Sequence, residues 1–228
     1  MENQIPMKII ARIRSPFPEK FGIPRQAGLA PSLRATVVFE PEYRNPDALR
    51  GISDFSHLWL IWQFSEAVRS EWSPTVRPPR LGGNARMGVF ATRSPFRPNA
   101  IGLSCVELVG LRETGEGTVL EVAGADLMDG TPILDIKPYI PYADARPEAR
   151  GGFTETAGDF LLNVNFPEKL REMVDITQID ALLEVLSHDP RPSYQSDPDR
   201  IYGMRFGEFN VRFRVEDGVL TVTELQRA

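Results

Sequence analysis

His57-Leu-Trp-Leu-Ile-Trp-Gln-Phe64 is a dense run of apolar and aromatic residues. A run this short and this apolar suits a strand in the middle of a sheet, where both faces are covered. Other short runs lie on either side of it, separated by Pro and Gly turns. Met7–Arg14 alternates loosely and Ala35–Phe39 is β-branched. Downstream, Arg86–Thr92, Ile101–Leu111, Thr118–Ala123 and Ile133–Ile136 follow at the spacing of an antiparallel sheet. Many short strands with few long helical patterns predict a barrel or a sandwich.

Two helical signals interrupt this pattern. Asn45 can cap a short helix that has Pro46 at its first position and Gly51 at its close. Thr177–Leu186 is amphipathic, with Ile179, Leu182, Leu183 and Leu186 on one face. Thr177 followed by Asp180 resembles a capping box with Asp in place of Glu. At the C-terminal end Phe209, Val211, Phe213 and Val215 alternate with polar residues, and Glu216-Asp-Gly218 turns the chain into Val219–Leu225, a hairpin signal. Around Ala143–Gly158 the chain becomes rich in Ala, Arg, Pro, Gly and Glu. The expected organisation is therefore mainly β: a small antiparallel domain over 1–146, then a smaller α+β C-terminal domain over 147–228.

The 228 residues are 42% hydrophobic and 25% charged, an ordinary balance for a soluble protein with a real core. No apolar run approaches the roughly 18 residues of a membrane span, and Met-Glu-Asn-Gln-Ile-Pro has no secretory character. The single cysteine, Cys105, excludes an intrachain disulfide and makes the cytoplasm the simplest compartment. With only His57 and His188 beside it, no Cys/His zinc centre can be assembled and no metal is expected, although a carboxylate Mg²⁺ site is formally open. There are 22 arginines and four lysines, a bias toward planar, bidentate contacts that genome composition could also produce.

Charge is unevenly distributed. Between Trp72 and Val106 stand Arg77, Arg80, Arg86, Arg93 and Arg97 and no acid, in a chain of net charge −5, so the remainder carries −10. Pro and Gly alternate with these arginines. Forked guanidiniums on a stiff backbone suit phosphate or carboxylate recognition.

No phosphate-binding P-loop, no GxGxxG between strand and helix and no GxSxG elbow is present, so any cofactor pocket is of a non-Rossmann kind. Five segments are left to carry chemistry. Pro24-Arg-Gln-Ala-Gly28 pairs a cation and an amide in a turn that could equally be a solvated loop. His57, within an apolar strand, reads more readily as a satisfied core residue than as a catalyst. Asp126-Leu-Met-Asp-Gly-Thr-Pro132 offers two carboxylates, in a turn where Asp and Gly are also favoured by conformation alone. Lys137 beside Asp135 could be a surface ion pair of little energetic weight. In the C-terminal part, Asp189-Pro-Arg-Pro-Ser-Tyr194 is either a stiff connector or a loop displaying Arg191 and Tyr194 to nucleic acid.

Together, Pro24-Arg-Gln26, Phe55-Ser-His-Leu-Trp59, Arg77-Pro-Pro-Arg-Leu-Gly-Gly-Asn84, Gly88-Val-Phe-Ala-Thr-Arg-Ser94, Arg97-Pro-Asn99 and Asp129-Gly-Thr-Pro-Ile-Leu-Asp-Ile-Lys-Pro-Tyr139 resemble the TsaA-like tRNA methyltransferases. Asp189–Tyr194 and Phe209-Asn-Val-Arg212 resemble the C-terminal domain of the bacterial members, so the resemblance spans the chain. It implies a small β-barrel, S-adenosylmethionine as cofactor, a homodimer, and N6-methylation of threonylcarbamoyladenosine just 3′ of the tRNA anticodon.

By position the resemblance implies cofactor contacts at Pro24, Arg25, Gln26, Ser65, Glu66, Arg93, Leu103, Gly124, Ala125 and Asp126. Asp126 or Asp129 is expected to accept the proton, with Lys137 or a nearby arginine stabilising charge on the carbamoyl oxygen. Arg77, Arg80, Arg86 and Arg97 are expected at RNA phosphate and the threonyl carboxylate, with Asn99, Arg191 and Tyr194 as further substrate contacts. The competing readings are a sensor that binds S-adenosylmethionine or RNA without catalysis, and a methyltransferase for another acceptor.

Overall fold

The computed structural model describes residues 5–69, 71–81, 85–155, 161–192, 195 and 197–227, with the side chain of Arg80 outside that set. In chain order the strands are β1 (Ala11–Arg14), β2 (Arg34–Phe39), β3 (His57–Gln63), β4 (Thr75–Val76), β5 (Met87–Gly88), β6 (Ile101–Thr114), β7 (Gly117–Ala123) and β8 (Pro132–Pro138). After the short helix α1 (Pro141–Asp144) come β9 (Asn163–Asn165), α2 (Glu168–Arg171), α3 (Ile176–Ser187), β10 (Tyr202–Phe206), β11 (Phe209–Glu216) and β12 (Val219–Arg227).

Six strands close on themselves in the order β1-β2-β7-β6-β3-β8, every neighbouring pair antiparallel. The aromatic run forms β3, flanked by β6 and β8 as a central strand should be. Strand alternation sends Leu58, Leu60 and Trp62 inward to meet Ile13, Val37, Val106, Leu120 and Ile133 in the core of the ring. The same alternation corrects the reading of His57. It stands on the outward, exposed face with Nδ1 3.0 Å from Ser56 Oγ, because Leu58 takes the inward position.

Two further expectations change. Arg86–Thr92 is not a full strand: only Met87–Gly88 pairs, with Thr75–Val76, and Val89–Ala91 then winds into a 3₁₀ turn. Thr92 closes that turn by donating both its N–H and its hydroxyl to the Val89 carbonyl, which takes the backbone out of any ladder. The segment after Asn45 is likewise a single 3₁₀ turn, although Asn45 caps it through the Asp47 N–H and Gly51 (φ +85°) follows it.

A second sheet has the order β10-β11-β12-β9, with β9 parallel to β12. The hairpin turn uses Asp217 (φ +47°) and Gly218 (φ +75°), the pair of positive φ values that a type I′ turn requires. Helix α3 begins one residue before the expected amphipathic stretch. Its cap is Asp175, a stronger N-cap than threonine, whose carboxylate accepts from the Thr177 N–H at 2.9 Å.

The core beneath this sheet is not built from the C-terminal part alone. Phe17, Ala30 and Leu33, from the loop joining β1 to β2, are buried in it beside Leu182, Met204, Phe206 and Phe213. Phe17 meets Phe206 edge-on at 5.7 Å, and the Gly207 N–H donates to the Pro16 carbonyl at 2.7 Å. Gly22 (φ +95°) lies so close under Met204 that a Cβ would stand 2.2 Å from its sulfur. Among the described residues no helix is long and apolar enough to cross a membrane.

Candidate active site

A cavity of about 900 Å³ opens where β3 ends and β6 begins. Three pieces of chain meet there. Pro24, Arg25 and Gln26 come from the β1–β2 loop. Ser65 and Glu66 sit in the 3₁₀ turn that follows β3. Arg93, Arg97 and Asn99 come from the acid-free segment between β5 and β6. Trp62 and Phe64, with rings 4.2 Å apart, form an aromatic wall, and Leu103 reaches the rim from the outer face of β6.

The turn carrying Ser65 and Glu66 is pinned from two sides. The Phe64 N–H donates to the Ala100 carbonyl at 2.8 Å, and Lys20 Nζ donates to the Glu66 carbonyl at 2.9 Å. Arg97 is aimed by its own loop, since Nη1 donates to the Thr92 carbonyl at 3.0 Å.

Asp126 is the carboxylate at the heart of this arrangement. It accepts from Ser104 Oγ at 2.5 Å, and that hydroxyl in turn accepts from Trp62 Nε1 at 2.9 Å. Burial pushes the Asp126 carboxyl above the usual range. The Ser104 hydroxyl, backbone N–H groups including that of Ala27, and the positive charge of Arg93 pull the other way. Arg93 itself donates to Gln26 Oε1, and Gln26 Nε2 donates to the Arg25 carbonyl at 2.5 Å.

Gly124 and Ala125 do not line the cavity but hold it in shape. The Gly28 N–H donates to the Gly124 carbonyl at 2.8 Å and the Gly124 N–H to the Leu33 carbonyl at 2.9 Å. Gly124 has φ +74°, and a Cβ there would stand 3.3 Å from the Gly28 backbone, so a side chain would push the loop off the site. Ala125 is packed in the ring's core.

Asp129, three residues on, faces elsewhere. Its carboxylate accepts from the Ser15 N–H at 3.0 Å and its own N–H donates to the Phe17 carbonyl, on the border of a separate cleft of about 230 Å³. Lys137 lies one strand away from the cavity wall, level with Trp59 on β3, and pairs with Asp135 at 2.8 Å on the exposed surface. Arg77 and Arg86 are exposed and lie outside the cavity lining. Arg191 is tied at 2.8 and 2.9 Å to both carboxylate oxygens of Asp189, and only about an eighth of its side chain is exposed. Tyr194 and the Arg80 side chain fall outside the described residues.

Sequence reasoning passed over Ser104 and Trp62. The signal was available: in Ile101–Leu111, strand alternation puts a lone serine on the apolar inward face with Gly102 and Val106. Gly102 is required there, since a Cβ would stand 2.2 Å from the Trp62 indole.

A closed antiparallel ring with a large cavity, a half-buried carboxylate and guanidiniums at the mouth defines a ligand-binding β protein with acid–base capacity. The model of the tRNA-methyltransferase O N-terminal domain matches residues 12–145, and that of the TrmO C-terminal domain matches residues 160–228. The chain is 42% identical over 225 residues to the tRNA (adenine(37)-N6)-methyltransferase of Escherichia coli K12, covering 95% of this chain and 96% of that one. It is 44% identical over 212 residues to a Pseudomonas aeruginosa protein provisionally named an S-adenosylmethionine-dependent methyltransferase, covering 90% of each chain. The crystal structure of TrmO from P. aeruginosa superposes with a TM-score of 0.80 at 35% identity, over 100% of this chain and 99% of that one. This chain therefore belongs to the tRNA-methyltransferase O family.

Proposed function

We propose that this chain methylates N6 of threonylcarbamoyladenosine, next to the tRNA anticodon, with S-adenosylmethionine as methyl donor. The observation that carries the reading is Asp126: a carboxylate kept basic by burial, inside a cavity whose mouth is built from an arginine segment without acids. Relatives that share the whole chain are named for adenine-37 N6-methylation and for S-adenosylmethionine.

The cavity suits that cofactor. Its volume is within the range of sites for such molecules. Trp62, Phe64 and Leu103 offer an apolar wall to an adenine ring, Glu66 and Asp126 offer negative charge to a sulfonium and an amino group, and Arg93 offers a fork to a carboxylate. Bound there, S-adenosylmethionine supplies an electrophilic methyl group for in-line displacement.

The protein's own work is positioning and proton transfer. The acceptor N6 shares its lone pair with the purine ring and the carbamoyl group, which makes it a weak nucleophile but acidifies its N–H. Asp126 accepts that proton, and Ser104, fixed by Trp62, holds the carboxylate in its orientation. Asp129 is engaged with Ser15 beside another cleft, so the geometry favours Asp126. For charge on the carbamoyl oxygen, Arg97 at the cavity is better disposed than Lys137, which is neutralised by Asp135. Arg77 and Arg86, both exposed, extend the positive surface toward RNA phosphate, and a bidentate match of one arginine to the threonyl carboxylate would make the prior modification a requirement.

A homodimer completes the reading. Ile101, Leu103 and Val109 are exposed apolar residues on the outer face of β6, and a second copy would cover them. Division at residues 146 and 147 leaves the second sheet for tRNA contact, and the cytoplasm is the compartment of such a substrate.

The test uses tRNA from cells lacking this protein. Purified protein with S-adenosylmethionine should convert threonylcarbamoyladenosine to its N6-methyl form, read by mass spectrometry of nucleosides. Binding of the cofactor without conversion would instead favour a sensor or a different acceptor.

A further inference from the structure

The loop that carries Pro24, Arg25 and Gln26 into the cavity starts and ends in the ring but is gripped by the C-terminal part. Its apolar residues Phe17, Ala30 and Leu33 are buried in the C-terminal core. Two polar clasps act on it as well. Glu184, on α3, accepts from the Ser32 N–H at 2.8 Å and from the Ser32 hydroxyl at 2.7 Å, so both carboxylate oxygens are committed to one loop residue. Arg25 Nη2 donates at 3.3 Å to the carbonyls of both Asp189 and Arg191, in the stiff Asp189-Pro-Arg191 segment after α3. The bidentate Asp189–Arg191 pair, with Arg191 largely buried, fixes the conformation that presents those two carbonyls.

The near end of the loop touches the chemistry. Gln26 receives Arg93, and the backbone N–H of Ala27 is among the groups that hold the Asp126 carboxyl down. A continuous path of hydrogen bonds thus runs from the C-terminal segment through Arg25 and Gln26 to Arg93 at the cavity. We infer that Glu184 and the Asp189–Arg191 segment, although they contact neither cavity nor reacting atoms, are positioning residues for methyl transfer, holding the cofactor loop in register against Asp126 and Arg93. Arg191 then serves this purpose through its ion pair. The inference rests on the cavity being the S-adenosylmethionine site.

The full-length protein tests it. Glu184→Ala removes both bonds to Ser32, Ser32→Ala removes only the hydroxyl bond, and Glu184→Gln keeps an acceptor for the Ser32 N–H. Titration calorimetry with S-adenosylmethionine should show Kd raised about tenfold in Glu184→Ala, about threefold in Ser32→Ala, and within about twofold of wild type in Glu184→Gln. Amide exchange over residues 25–28 should accelerate in Glu184→Ala while that over β10–β12 stays protected. A Glu184→Ala protein with a lowered Tm but wild-type Kd and unaltered exchange at 25–28 would reduce Glu184 to a structural residue and overturn the inference. Binding by Glu184→Gln as weak as that by Glu184→Ala would overturn it as well. Failure of the wild-type protein to bind S-adenosylmethionine would instead remove the cavity assignment itself, which separates the two failures.

Discussion

Asp126 and Asp129 stand three residues apart in one turn, yet they belong to two different clefts. Asp126 turns into the large cavity, where burial, a serine hydroxyl and an arginine act on its carboxylate. Asp129 turns to the other side and ties the turn to the start of the β1–β2 loop through Ser15. Residue type and spacing made them equivalent candidates. Environment separates them, because only one is both desolvated and adjacent to an apolar wall large enough for a cofactor.

The most severe way to break this contrast is Asp126→Asn, which should lower the single-turnover methylation rate about 10²–10⁴-fold while leaving cofactor binding measurable by calorimetry. Near-normal rates in both Asp126→Asn and Asp129→Asn would defeat carboxylate base catalysis altogether. Gly124→Ala attacks the loop that closes the cavity: with φ +74° and the Gly28 backbone only 3.3 Å from the new Cβ, it should cost about 1–3 kcal/mol by chemical denaturation and weaken the cofactor.

Arg93→Ala sharpens the electrostatic side. Removing a cation that holds the Asp126 carboxyl down should move the acidic limb of the kcat profile to higher pH, since the base form then appears later as pH rises. Stability carries the same sign. The folded state raises the pKa of Asp126, so its contribution is complete below the unfolded value and is lost as pH rises through the folded one. Asp126→Asn should therefore raise Tm relative to wild type more at pH 8 than at pH 4. Asp129→Asn is the smallest effect: asparagine can still accept from the Ser15 N–H, and methylation rates should stay within about twofold.

Much of the fold could be read locally. The run His57–Phe64 marked its own place as a central strand, and the alternation of Phe209–Val215 with Asp217-Gly218 specified its hairpin, because both signals are periodic and short-range. Arg86–Thr92 misled because the hydroxyl of Thr92 offers the backbone a local turn that competes with a ladder. Of the cavity segments, Pro24–Gln26 and the stretch holding Arg93, Arg97 and Asn99 were legible through the family motifs and the turn at Ser65 and Glu66 only through its place after the aromatic strand, while Ser104 was hidden by its ordinary residue type. What no local pattern could show was the ownership of Phe17, Ala30 and Leu33. They read as parts of a loop in the first unit, and only contacts with residues far along the chain put them in the core of the second.

That shared core also bears on how the protein is made. The cofactor loop is synthesised early, but the acceptor of its Ser32 bonds lies 152 residues later and those of its Arg25 bonds 164 and 166 residues later. During vectorial synthesis the ring can close around β3, β6 and β8 while Pro24, Arg25 and Gln26 still lack their anchor. On the proposed assignment, cofactor-binding competence arrives with the last quarter of the polypeptide, and a nascent chain halted before α3 lacks the anchors of this loop.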